Sequence, residues 1–274
     1  MEVDSKIMSY CDIVVDACPK KDVQLPLEFA RKLALETGAR LSVVSYAWPR
    51  YSGMRPLVGN ALSAQLQERE MIDALDTARS AFGTVFDDNA VEAEWCSGVA
   101  EPNVVLRDHL WTADLLITSA SESKTCAPLN AADLALRSGA PILRLGTKMP
   151  EASFANVLVA WKDCSQARRA VHDALPILQR TGKVTVVGVG DEVAIERLEM
   201  VADHLRRHGV TAEHLHIPRT HGKIGEDLLA EAQRVDASLI VAGVFSRGSL
   251  RERVLGGVTR DLLGNPEISW FMAH

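Results

Sequence analysis

Apolar residues in this chain fall into short runs separated by longer stretches in which they recur every three or four positions, and this alternation is run through twice. Runs at 13–15, 41–46, 91–95, 115–118 and 142–145 read as buried strands. Segments 25–36, 62–82 and 102–109 carry helical spacing, the first with Leu27, Ala30, Leu33 and Ala34 on one face and Gly38 as its stop. In the second half, strands are predicted at 157–161, 184–189, 212–216, 239–242 and 268–272, and helices at 166–178, 194–208, 225–235 and 258–263. Strands that alternate with helices build parallel sheets through right-handed crossovers. The halves also echo each other, since Ala113-Asp-Leu-Leu-Ile117 answers Ala237-Ser-Leu-Ile-Val241 and Glu36-Thr-Gly38 answers Arg180-Thr-Gly182. The expectation is an α/β protein of two doubly wound, Rossmann-like domains, 1–147 and 154–274, joined where Lys, Pro and Glu break the apolar pattern.

One stretch of the second half has the composition of a ligand loop. The apolar run 239–242 meets Gly243-Val-Phe-Ser246-Arg-Gly248, and after Gly256-Gly257-Val258 the spacing becomes helical. Glycines let backbone N–H groups approach a ligand, and a helix start adds partial positive charge, so a phosphate suits such a loop; glycines that only make turns are the other reading. In an open parallel sheet, ligands lie outside the carboxyl ends of the strands. That places Lys162-Asp163, Val189 and the segment from Gly243 near one another.

At these residues the sequence resembles the universal stress protein family, whose signature is Gly, two residues, Gly, nine residues, Gly, then Ser or Thr. Gly243, Ser246, Gly256 and Gly257 stand at its fixed positions, two matching and two changed. Leu255-Gly-Gly-Val-Thr259 and Phe271-Met-Ala-His274 resemble the tandem, two-repeat proteobacterial members, and the strand and helix order extends the resemblance over nearly the whole chain. It implies a stress-response regulator that binds ATP or a related nucleotide, with or without Mg²⁺. The implied binding positions are Ala160, Lys162, Val189, Ala242, Gly243, Ser246, Gly256, Gly257 and Val258. Lys162 stands where the family has an acidic residue, and the first half has no glycine in Ser119–Asn130, so one nucleotide per chain is expected, in the second domain. A scaffold with vestigial pockets and a weak ATP hydrolase are the alternatives. No catalytic residue is identified, so an enzyme is not the expectation.

Thirty Lys and Arg against 36 Asp and Glu give a net charge of −6 without a basic block, which argues against nucleic acid. No apolar run reaches the roughly 18 residues a membrane span needs, and the start lacks a basic then apolar leader, so the cytoplasm is the expected location. Five cysteines without a C-x-x-C pair suggest reduced thiols; Cys164 after its strand is either a turn filler or a thiol near the loop. His204 and His208, four apart, read as a solvated helix end rather than a metal site. Gly188-Val-Gly190 lacks the third glycine of a dinucleotide fingerprint, and Val244-Phe-Ser246-Arg-Gly248 lacks the small residue of a nucleophile elbow. The family resemblance implies pairing through the strand at the sheet edge, and segments 142–145 and 268–272 are the candidate edges, so they are expected to join the halves as an internal pseudo-dimer; an open apolar edge would otherwise invite aggregation. Association into a homodimer and unidentified protein partners are further expectations.

Overall fold

The computed structural model describes residues 9–20, 22–48, 61–120, 129–147, 154–218, 223–244, 246–247 and 254–274. Gly248, Cys126, the segment joining the two predicted domains (148–153) and most of Ser119–Asn130 lie outside them. Two compact units are formed, by 10–140 and by 141–274.

The first unit runs β1 (Asp12–Asp16), α1 (Gln24–Thr37), β2 (Arg40–Ala47), α2 (Ala61–Val85), β3 (Ala93–Val99), α3 (Pro102–His109), β4 (Leu115–Ser119) and α4 (Ala131–Ser138). Its strands lie in the order β3-β2-β1-β4 and the paired registers are parallel. Consecutive residues of β1 and β4 are both buried, as a sheet covered on two faces requires, and this is why these strands read as unbroken apolar runs. Gly38 ends α1 with φ 74°, its N–H bonded to the Ala34 carbonyl at 2.8 Å.

Two elements differ from the sequence reading. β3 continues past Trp95 to Val99 because its backbone stays paired with β2 as far as Ala47, although Ser97, Gly98 and Val99 are exposed and the added residues show no apolar pattern. Helix α4 was not expected at all. With Ala131, Ala132, Leu134, Ala135 and Leu136 all buried it shows no one-sided apolar spacing, yet its ends are marked: the Asn130 side chain accepts from the Asp133 N–H at 3.1 Å, and Gly139 closes it with φ 72°.

The second unit runs β5 (Ile142–Leu145), β6 (Asn156–Ala160), α5 (Ser165–Leu178), β7 (Lys183–Val189), α6 (Ile195–Arg207), β8 (Ala212–Ile217), α7 (Ile224–Arg234), β9 (Leu239–Gly243), β10 (Ser246–Arg247), β11 (Val254–Leu255), α8 (Gly257–Leu263) and β12 (Ser269–Ala273). The strand order is β5-β12-β9-β6-β7-β8, and β10 pairs with β11 as a separate antiparallel ribbon. β5 is antiparallel to β12, with Met272 opposite Ile142, Phe271 opposite Leu143 and Trp270 opposite Arg144. The two apolar segments predicted to pair therefore do so, and Trp270, Phe271 and Met272 are fully buried between β5 and β9. Arg144 is buried as well and donates to the carbonyls of Leu263 and Asn265 at 3.2 and 3.3 Å, holding the last turn of α8 against β5. Burial lowers its pKa, and a cation at a helix C-terminus is favourably placed.

Candidate functional site

The carboxyl ends of β6, β7 and β9 meet at one rim of the second unit. Ala160 ends β6 opposite Ala242 on one side and Val187 on the other, and Val189 ends β7 two residues further out. Both alanines are small and Val189 is buried, so the rim is low and apolar where the strands stop. Gly243 follows Ala242 and pairs with Ala273.

The four signature positions lie in three local settings. A Cβ on Gly243 would lie 2.6 Å from the Gln166 carbonyl carbon and 2.8 Å from the Ala167 nitrogen, so glycine is required here for the first turn of α5 to press against β9. That is a packing reason, which the sequence pattern alone did not distinguish from a ligand reason. The ribbon pairs Ser246 with Leu255 and so brings Ser246 next to Gly256, the N-cap of α8. Gly257 opens α8 and is exposed; a Cβ on it would meet nothing within 4 Å, and its φ lies outside the left-handed region. Among the described residues, nothing asks for glycine at 257. Val258 is half-buried behind it, and the Thr259 side chain is buried.

Charge at the rim is largely paired. Lys162, at the exit of β6, reaches Glu192 after β7 at 2.8 Å, both side chains being well exposed. Asp163 accepts from the Trp161 indole N–H at 2.8 Å and from Arg197 of α6 at 3.2 Å, so this carboxylate faces α6. Cys164 caps α5, its sulfur accepting from the Ala167 N–H at 3.4 Å, which gives the residue a structural task at the helix start. The Lys162–Glu192 pair and the ribbon were not anticipated, because each joins residues whose proximity depends on the crossover connections rather than on local pattern.

Elsewhere the side chains fit structural roles. His204 and His208 pack edge to face with centroids 4.6 Å apart on exposed helix surface; partial burial, then His208 and Arg207, lower the His204 pKa. Among the described residues, no group of three or more His, Cys, Asp or Glu is placed to hold a metal. A Cβ on Gly188 would come within 3.0 Å of Leu198 and Val193, so that glycine serves the packing of α6 on β7. A cavity of about 560 Å³ lies against α7 and α8, lined by Glu226, Leu229, Arg260, Asp261 and the turn 264–267, and includes none of the nine predicted residues. No described helix is long and apolar enough to cross a membrane.

No protein-family model matches the sequence, and no curated protein matches it. Solved structures do. A universal stress protein from Archaeoglobus fulgidus DSM 4304 superposes with TM-score 0.71 at 13% identity, covering 98% of both chains. A functionally unknown protein from Pseudomonas aeruginosa PAO1 gives 0.60 at 17% identity over 96% of this chain and 92% of that one. A third, from P. aeruginosa UCBPP-PA14 and provisionally described as a universal stress protein, gives 0.59 at 16% over 96% and 93%. At these identities the likeness shows the fold: this chain has the α/β fold of a full-length universal stress protein.

Proposed function

We propose that this chain is a universal stress protein of the two-repeat type, a cytoplasmic regulator rather than an enzyme, that binds ATP or a related nucleotide once per chain at the rim of the second unit. The observation that carries this reading is Gly257. It is exposed at a helix start, with open space where a Cβ would be and an unexceptional φ, which leaves the backbone there accessible to a phosphate. Ala160 and Ala242 leave room for a base at the strand ends, and the β10–β11 ribbon sets Ser246 beside Gly256, where backbone N–H groups would face phosphate. Asp163 and Glu192 are engaged with Arg197 and Lys162, so any Mg²⁺ would be held chiefly by the phosphates of the nucleotide.

Calorimetry with ATP and Mg²⁺ tests the reading. One site per chain is expected in the wild type, with binding abolished by Gly257→Val and the fold unchanged. Two equivalent sites, or an affinity indifferent to Gly257→Val, would place the pocket elsewhere. A scaffold role is favoured instead by two observations, the packing requirement at Gly243 and the Lys162–Glu192 pair across the rim. Absence of any nucleotide binding would decide for it.

A further inference from the structure

The first unit has its own version of the same rim, and its residues differ in kind. In β1 and β4 Val15 stands opposite Ile117, as Val159 stands opposite Val241 in β6 and β9. With Ala113–Ile117 answering Ala237–Val241, Asp16 takes the place of Ala160, Thr118 that of Ala242 and Ser119 that of Gly243. Two small apolar residues and a glycine have become a carboxylate and two hydroxyl side chains at the end of a buried sheet.

These groups enclose one cation. The Asp16 side chain is fully buried and that of Lys20 is 8% exposed, with Lys20 Nζ 3.4 Å from Asp16 Oδ2 and 3.4 Å from the Ser119 carbonyl oxygen. The carboxylate is held independently of the lysine: its Oδ1 accepts from the Cys18 N–H at 3.0 Å and its Oδ2 from the Thr118 hydroxyl at 2.5 Å. Those two donors hold the carboxylate of Asp16 without any help from the lysine, so its position does not depend on the cation. Burial, the largest single effect, disfavours the charged lysine, but the charge and hydrogen bond of Asp16 together with Cys18 and Asp22 outweigh it and raise its pKa, so the ammonium form is the one enclosed.

We propose that the carboxyl end of β1 and β4 is a binding niche for a primary ammonium ion, built by Asp16, Thr118 and the Ser119 carbonyl, and occupied from within by Lys20. The first unit is thereby self-liganded at the position where the second unit has Ala160 and Ala242. The niche recognises charge and N–H donors together: a carboxylate and a carbonyl accept hydrogen bonds from an ammonium, whereas a bulkier quaternary ion of the same charge has no N–H to give and keeps only the Coulomb attraction. This inference stands whatever the second unit binds.

The test is chemical rescue in the full chain. Lys20→Ala leaves the carboxylate buried without its partner, and the thermal midpoint should fall. n-Propylammonium chloride supplies the three carbons and the nitrogen that the substitution removes. It should raise the midpoint of Lys20→Ala saturably and recover at least half of the loss. It should leave the wild type unmoved, and tetramethylammonium chloride at equal ionic strength should do nothing. The double variant Asp16→Asn/Lys20→Ala should show no rescue. A response equal for the two salts, an equal response in the wild type, or no response in Lys20→Ala would overturn the proposal. If Lys20→Ala is recovered unfolded, the folded yield on refolding gives the same readout and should rise with n-propylammonium alone; no rise would refute the niche.

Discussion

Two glycines of one short signature should behave oppositely when each is given a methyl group. Gly243→Ala places a Cβ 2.6 Å from the Gln166 carbonyl carbon and 2.8 Å from both the Ala167 nitrogen and the Gln166 Cβ, all in the first turn of α5. Ordinary contacts begin near 3.4 Å, so a gap of roughly 0.8 Å must come from moving a helix start that is held at Cys164 and Ala167. Overpacking of this kind costs about 1–3 kcal/mol, and rigid backbone neighbours argue for the upper end. Against it stands about 0.4–1 kcal/mol from restricting the unfolded chain, which leaves a net loss of about 2 kcal/mol. At roughly 2–4 °C per kcal/mol for chains of about this size, the midpoint falls by about 4–8 °C. Gly257→Ala meets nothing within 4 Å, so only the gain of about 0.4–1 kcal/mol remains. Thermal and urea unfolding followed by circular dichroism measure both. Wild-type stability in Gly243→Ala would refute the close approach of α5 to β9, and a loss above about 1 kcal/mol in Gly257→Ala would show that the fold does require that glycine.

Arg144→Met should lower stability by about 2 kcal/mol in urea titrations, because it leaves the Leu263 and Asn265 carbonyls without their donor. Cys164→Ser, by giving α5 a stronger acceptor for the Ala167 N–H, should raise stability by roughly 0.5 kcal/mol, and Cys164→Ala should not. Lys20 has a raised pKa in the folded protein, so the stability it contributes is fully present below its unfolded value of about 10.4 and is lost as pH rises through the folded value. Stability measured against pH should accordingly show the gap between wild type and Lys20→Ala constant from pH 7 to about 10 and narrowing above that. The depressed pKa of His204 has the opposite sense: on acidification below about 6.5 its protonation opposes folding, and His204→Gln should remove part of that loss in the same series.

What the sequence determined by itself is what depends on local pattern. Buried parallel strands have no polar face, so β1, β4, β6 and β9 appear as unbroken apolar runs, and the helical spacing between them carries the α/β class and the twofold repeat. The pairing of 142–145 with the last strand was expected from the family resemblance, and the apolar character of both segments agrees with it. Tertiary structure decided what residues far apart in the chain do to one another. The pattern shows glycine at 243 and at 257 alike, and only the position of Gln166 and Ala167 makes the first a packing glycine, while no described residue packs where a Cβ on the second would lie. Asp16-Ala-Cys-Pro-Lys20 reads as a polar exit from a strand until Thr118 and Ser119 are brought beside it by β4, 102 residues on, and the exit becomes a closed ion pair. Helix α4 escaped because residues buried all round it leave no one-sided spacing, and the two-residue strands of the ribbon because alternation needs length whereas a backbone pair needs only a partner.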